Sequence, residues 1–290
     1  MSSRDTDVGC GRLLYETHMH TVLCRHATGE ITEYAAVAEK RGLAGIVVTC
    51  HNPLPNGYGQ SVRMYPEQMP EYLRLVRQAR FAWEGRVDVR LGLECDYVPG
   101  FEAFLKTQTA GADFDYLLGS VHPQMGEYVR TWFRGNIVEF QKVYFEHLAM
   151  AAETGLFDCL SHPDVVKNVF PAEWNIHRIM PDICRALDRI AAAGVAMELN
   201  TSGLTKDIPE MNPGLAILKE MRKRDIPVVI GADAHAPEFV GWHFEAACDL
   251  LKDAGYKHAS FFLGRKRVDV EIALARKTLV PVEAGAGDPV

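Results

Sequence analysis

Seven short apolar runs, each followed by a longer amphipathic stretch, constrain this chain more than any other feature of its sequence. Short runs rich in β-branched residues read as strands buried on both faces, and the helical spacing between them supplies the layers that cover such strands. Repetition of the pair is the pattern of βα units around a parallel sheet, so the expected class is α/β, closed as a TIM-like barrel. The first run, Leu13-Leu14-Tyr15, leads to a strand end at His18-x-His20, and further strands are expected over 45–49, 87–94, 115–122, 157–160, 195–200 and 227–231. Helices are expected over 32–41, 66–83, 101–108, 137–154, 174–193, 214–224 and 241–254, with an apolar run at 260–263 completing the fold. Residues 1–12 form a polar lead-in, 13–280 read as one domain without internal repeats, and the Gly/Ala/Pro-rich 281–290 read as a disordered tail. Residues 52–65, rich in Asn, Pro and Gly, are too many for a bare connector and are expected to form a substrate lid.

In a closed α/β barrel the carboxyl ends of all strands point to one face, where active sites are built. Of the eleven histidines, His18, His20, His51, His122, His162 and His235 fall at such ends, and His26 sits in the loop after strand one. The other four, His147, His177, His243 and His258, fall on helices or beyond them. His18 and His20, two apart on an extended strand, project to the same side and can reach one ion. Glu94 and Asp233 join the set at equivalent places. Packing does not account for ionisable groups gathered at strand ends. For His122 and His162, each followed by proline, and for His26 and His51 on loops, an ordinary turn or solvated histidine is the competing explanation. Nine such groups exceed what a single zinc takes, and mixed imidazole and carboxylate ligands suit zinc, iron or manganese. A carboxylate such as Glu94 can bridge two ions, so a cluster of two or three is expected. Such a cluster lowers the pKa of a bound water and neutralises charge on phosphoryl oxygens, which points to phosphate ester hydrolysis. Deamination or amide hydrolysis also fits a metal-bearing barrel, with fewer ions.

The formal charge of −7 argues against a nucleic-acid partner, whose binders carry basic surfaces. No stretch approaches 18 apolar residues, so no membrane span is expected. The opening residues lead into no apolar segment, and seven scattered cysteines contain no CxxC pair. Reduced thiols in the cytoplasm are therefore expected.

The order His18-x-His20, His26, Thr49-Cys50-His51, Glu94, His122, His162 and Asp233-x-His235 resembles the polymerase and histidinol phosphatase (PHP) superfamily. Several segments are similar to its histidinol-phosphate phosphatase branch: His51-Asn52-Pro53-Leu54-Pro55, Gly92-Leu93-Glu94-Cys95-Asp96-Tyr97, His162-Pro163-Asp164, Glu198-Leu199-Asn200-Thr201-Ser202-Gly203-Leu204 and Gly231-Ala232-Asp233-Ala234-His235-Ala236-Pro237. The resemblance implies a distorted (β/α)7 barrel carrying three divalent ions, zinc, manganese or iron. His18, His20, Glu94 and Asp233 would hold one ion; Glu94 would bridge to a second, completed by His122 and His162; His26, His51 and His235 would hold the third. The implied reaction is attack of a metal-bridging hydroxide on L-histidinol phosphate, giving L-histidinol and phosphate in histidine biosynthesis. A nucleotide, cyclic phosphate or sugar phosphate is the alternative substrate. Asp233 and His235 are the candidates for protonating the leaving alkoxide, and Lys167, Lys206 and Arg63 for binding the phosphate. The chain departs from the family pattern at Glu16 in place of aspartate, at Cys50 in place of an acidic residue, and at Thr205 where an arginine is expected. Glu16 is expected to orient His18 all the same.

Overall fold

The computed structural model describes residues 11–281, so the disordered-tail expectation and most of the lead-in lie outside the described residues. The seven apolar runs form seven parallel strands that pair in chain order. They are β1 (Tyr15–Glu16), β2 (Gly45–Val48), β3 (Asp88–Asp96), β4 (Tyr116–Ser120), β5 (Cys159–Leu160), β6 (Ala196–Asn200) and β7 (Val228–Gly231). The connecting helices are α1 (Ile31–Lys40), α2 (Met69–Ala82), α3 (Glu102–Thr109), α4 (Gly126–Trp132), α5 (Ile137–Glu153), α6 (Ile176–Ala193) and α7 (Leu215–Lys223). Their limits follow local chemistry. Glu30 and Glu33 form a reciprocal capping box at the start of α1. Asn175 caps α6 at its start, and Gly194, at φ +71°, ends it in the left-handed conformation that glycine adopts without steric cost.

The ring closes at its carboxyl ends. Met19, just beyond β1, bridges in parallel to Ala234, just beyond β7. His20 N–H donates to Ala234 O and Ala234 N–H to His18 O, each at 2.9 Å, while Thr17 Oγ1 donates to Ile230 O. Toward the amino ends, α8 (Phe244–Asp253) delivers β8 (His258–Leu263), which pairs with β7 through Val229 and Ser260. The chain then turns back into antiparallel β9 (Lys266–Glu271) and ends in α9 (Ile272–Thr278).

Tyr15, Val47, Tyr116, Leu118, Cys159, Ala196, Val229, Phe261 and Phe262 form a buried cluster of their own, separate from the larger core between strands and helices. These are the inward-facing residues of the barrel, and Phe261 stacks on Tyr15 with centroids 4.6 Å apart. Because strand side chains repeat every two residues, Leu118, Cys159, Ala196 and Val229 are followed on the same side by Ser120, Ser161, Glu198 and Gly231. The barrel is thus apolar at one end and polar at the other.

Three expectations need correction. The run 260–263 belongs to a hairpin; β9, whose outward residues are charged, and α9 carry too weak an apolar pattern to be read. The stretch between β4 and α5 holds a further helix, α4. Strand three continues to Asp96, so Glu94 lies inside β3 and not at its last residue. No helix among the described residues is long and apolar enough to cross a membrane. The six described cysteines form no disulfide.

The plug from β8 makes a stability prediction. Phe261→Ala removes the ring that fills the amino end of the barrel and should destabilise the fold by about 3–5 kcal/mol, read as a lower urea midpoint at unchanged m-value.

Candidate metal centre

Glu94 sits at the middle of the polar end, fully buried, and neither of its oxygens has a hydrogen-bond partner among the described residues. Imidazole nitrogens surround it. Oε1 lies 3.4 Å from His18 Nε2, 3.5 Å from His122 Nε2 and 3.4 Å from His162 Nε2. Oε2 lies 2.7 Å from His51 Nδ1 and 3.8 Å from His20 Nε2. The His51 approach is short, but it is not aligned as a hydrogen bond. Asp233 Oδ1 adds a second carboxylate, 3.0 Å from His20 Nε2 and 3.5 Å from His18 Nε2. His26, His51 and His235 bring one ring nitrogen each to within 4.8 Å of one another, as do His18, His20 and Asp233 with their ligand atoms. The structure therefore gathers all nine residues singled out from strand ends and loops.

The far side of several rings is held by protein. His18 Nδ1 faces Glu198 Oε1 at 2.8 Å, and His122 Nδ1 faces Asp96 Oδ1 at 2.9 Å. His26 Nδ1 and His235 Nδ1 each meet a carbonyl, Cys24 O and Asp233 O, at 2.9 Å. A carbonyl only accepts, so Nδ1 carries the proton in the last two and Nε2 keeps its lone pair. This is the arrangement that fixes tautomer and direction in metal-ligating histidines. His18 Nε2, His20 Nδ1, His51 Nδ1 and His235 Nε2 are buried without hydrogen-bond partners. Buried orphan groups cost about 1–3 kcal/mol each unless something else satisfies them. The orphaned nitrogens of His18, His51 and His235 and both Glu94 oxygens, with His20 Nε2 beside Glu94 and Asp233, are a donor set that divalent cations take, so the residues fit.

The electrostatics agree. Burial drives the Glu94 carboxyl up, but His51, His18 and His122 outweigh it and hold the group well below the usual carboxylate range. Burial lowers His18 and His20, yet Glu198, Asp233 and Glu94 raise His18 well above its ordinary value. The hydrogen bond to Asp233 leads the groups that bring His20 to about 9. His51 and His235 are pushed down by burial to about 3 and about 2, and remain neutral with free lone pairs. The carboxylates thus call for positive charge at the centre, which protons or cations can supply.

Two supporting acids were not anticipated. Glu198 uses every oxygen: Oε1 on His18, Oε2 accepting from His162 N–H at 2.8 Å and from Asn200 Nδ2 at 2.9 Å. Gly231 leaves it room, since a Cβ there would lie 2.2 Å from Glu198 Oε1. Asp96 lies between His122 and Arg63. Their signal was their position, two residues from Glu94 and from Asn200 on the inward face. Glu16, expected to orient His18, instead accepts from the main-chain N–H groups of His18, Ala232 and Gly241, and so ties β1 to the turn after β7.

A cavity of about 180 Å³ opens onto the cluster, lined by His26, His51, His122, His162 and Asp233 and further by Val62, Arg63, Met125, Val165, Lys206 and Asn212. A separate apolar cavity of about 240 Å³ near α2 and α3 contains none of the clustered groups. The 52–65 loop supplies one wall of the first cavity through Val62 and Arg63. Of the three cations singled out, Lys206 is exposed at the cavity, with no bond to its amine among the described residues. Arg63 is buried, with Nε donating to Gly59 O, Nη1 to Asn52 O and Nη2 to Asp96. Lys167 does not line the cavity; it is fully buried and spends its three protons on Asp164, Glu210 and Met211 O at 3.1 Å each. Lys167 therefore has no proton left for a phosphate and does not reach the cavity.

The PHP domain model matches residues 16–202. The "Probable histidinol-phosphatase" of Deinococcus radiodurans is 36% identical over 262 residues, 86% of this chain and 96% of that protein. The histidinol-phosphatase of Bacillus subtilis is 28% identical, over 79% of this chain and 96% of its own. The crystal structure of histidinol phosphate phosphatase from Lactococcus lactis, complexed with zinc, L-histidinol and phosphate, superposes with a TM-score of 0.74 at 19% identity, covering 88% of this chain and 98% of that one. At that identity the likeness shows the fold, a TIM-like barrel.

The Arg63–Asp96 pair at 2.7 Å gives a second prediction. Arg63→Met leaves a buried carboxylate with the His122 ring as its remaining side-chain partner and should cost about 3 kcal/mol in urea unfolding. Adding Asp96→Asn should recover part of that loss, as a double-mutant cycle would measure.

Proposed function

The chain belongs to the PHP domain family, and from that premise we propose that it is a metal-dependent phosphoric monoester hydrolase that converts L-histidinol phosphate and water to L-histidinol and phosphate. The observation that carries the reading is the buried, unpartnered Glu94 carboxylate with five histidines converging on it and Asp233, His26 and His235 beside them. His18, His20, Glu94 and Asp233 would hold one divalent ion, Glu94 with His122 and His162 a second, and His26, His51 and His235 a third, with zinc, manganese or iron as occupants. When bound, such ions bring the pKa of a water toward neutrality and offset charge on the phosphoryl oxygens.

The chain's own groups do the rest. Glu198 and Asp96 set the directions of His18 and His122. Lys206 stands where its amine can meet a phosphate oxygen at the cavity mouth, and the buried Arg63 lends positive charge from the wall. The leaving alkoxide needs a proton. His235 keeps its proton on Nδ1, committed to the Asp233 carbonyl, and against burial the surrounding histidines hold the Asp233 carboxyl well below the usual carboxylate range, so Asp233 would act as a relay that takes the proton lost by the attacking water and passes it to the alkoxide. A cavity this small, below the usual range of about 300–1,000 Å³ for drug-sized ligands, suits a small metabolite better than a nucleotide. The net charge of −7 is against a nucleic-acid partner.

Phosphate release by the zinc- or manganese-loaded protein tests the function, with L-histidinol phosphate compared with AMP, a nucleoside 3′,5′-bisphosphate and a cyclic phosphodiester. The expected result is a kcat/KM for histidinol phosphate of about 10⁴ M⁻¹s⁻¹ or more, far above the others. Preference for another ester in the panel overturns the substrate. The ligand assignment is tested separately by Glu198→Gln, which should weaken zinc binding about 10–100-fold in a competition titration, because His18 loses the partner that aims it. Unchanged affinity would argue against His18 as a ligand.

A further inference from the structure

Asn212 is 1% exposed, and neither its Nδ2 nor its Oδ1 has a hydrogen-bond partner among the described residues. Yet it lines the cavity that opens onto the cluster. Its position is fixed by main chain: Asn212 N–H donates to Asn200 O at 3.0 Å, and Asn200 N–H donates to Asn212 O at 2.7 Å. Asn200 in turn bonds Glu198, which holds His18, so Asn212 is tied to the scaffold of the cluster. Gly203 keeps the space beside it open, since a Cβ there would lie 2.3 Å from Glu210 O and 3.1 Å from Asn212 Cγ. A buried carboxamide with both ends unsatisfied costs stability, and a partner arriving through the cavity is what would recover it.

We propose that Asn212 is a specificity-determining residue that reads a hydrogen-bonding group on the organic part of the substrate. The proposal rests on the phosphomonoesterase reading above and deepens it. The donor and acceptor of the amide select the partner. A phosphate dianion offers only acceptors; it would satisfy Nδ2 but leave Oδ1 against negative charge. A neutral imidazole offers an N–H to Oδ1 or a ring lone pair to Nδ2, one nitrogen to one end of the amide, and leaves the other end to a neighbouring substrate group or a water. Val62, Met125 and Val165 give the same cavity apolar walls on which the flat body of such a ring can rest. Lys206 and the ion cluster are left to the phosphate end.

A site built to hydrogen-bond a substrate group discriminates strongly against analogues that lack it, because its own polar atoms are then unpaired. Asn212→Ala and Asn212→Asp should therefore lower the ratio of kcat/KM for L-histidinol phosphate to that for phenyl phosphate at least tenfold, chiefly through KM. Binding of the product L-histidinol, measured by calorimetry on the zinc-loaded protein, should weaken in step. Thermal midpoints and metal content of the variants control for folding. An unchanged ratio, meaning that water alone serves the amide, overturns the proposal, as does an equal fall on both esters, which would place Asn212 at the phosphate or in the scaffold. If the wild type prefers another ester of the panel, the substrate assignment fails, and the same ratio taken with that ester decides the role of Asn212.

Discussion

A carboxylate with both oxygens free of hydrogen bonds, at zero exposure, is not tolerated in a protein interior unless its charge is met. Glu94 is such a group, and the polar end of this barrel is arranged around it. Five imidazoles approach its two oxygens, and three of them are steered from behind or from a turn: His18 by Glu198, His122 by Asp96, His20 by the β1–β7 closure. Remove the central charge and these groups have no common reason to converge. The closure of the ring and the assembly of the cluster are accordingly one event, because the hydrogen bonds joining β1 to β7 are made by His18, His20 and Ala234 themselves.

The concentration of unmet polar groups at one end is made possible by the apolar filling at the other. Tyr15, Val47, Tyr116, Leu118, Cys159, Ala196 and Val229, with Phe261 and Phe262 from the hairpin, occupy the inside of the same strands whose next inward residues turn polar. A Phe side chain fully buried stabilises by about 2–3 kcal/mol, comparable with the cost of one orphaned polar group. The plug thus offsets local costs incurred a few residues further along the same strands.

How much of this could be read from the chain depended on how far each group's partners lie in sequence. Histidines at strand ends were legible because strand direction fixes which face they meet, and that needs only the alternation of apolar runs. The partners of Lys167 were not: Asp164 is three residues away, but Glu210 and Met211 sit 43 and 44 residues on, and their bonds turn a plausible phosphate cation into a buried strut. Arg63 was half legible. Its place at the cavity follows from the long loop, while its pairing with Asp96, 33 residues away, depends on β3 running two residues past Glu94. Glu16 illustrates the same limit. Its distance from His18 in sequence suggested the imidazole as partner, but the ring closure brings the N–H groups of Ala232 and Gly241 to it.

Backbone conformation adds a last step. His162 and Asp233, both in the cluster, have φ of +26° and +54°, where residues with a Cβ are strained. Each is held there by bonds on both sides. Glu198 accepts from His162 N–H while Tyr144 OH donates to His162 O at 3.2 Å; Asp233 O accepts from His235, and its carboxylate from Ser202. The strain persists because these bonds leave the two residues no relaxed alternative that still presents their side chains inward. Glu198 serves in both places, orienting His18 through one oxygen and fixing the strained turn of His162 through the other. It couples the ends of β1 and β5, strands that are not neighbours in the sheet, and Gly231 is what lets it fit.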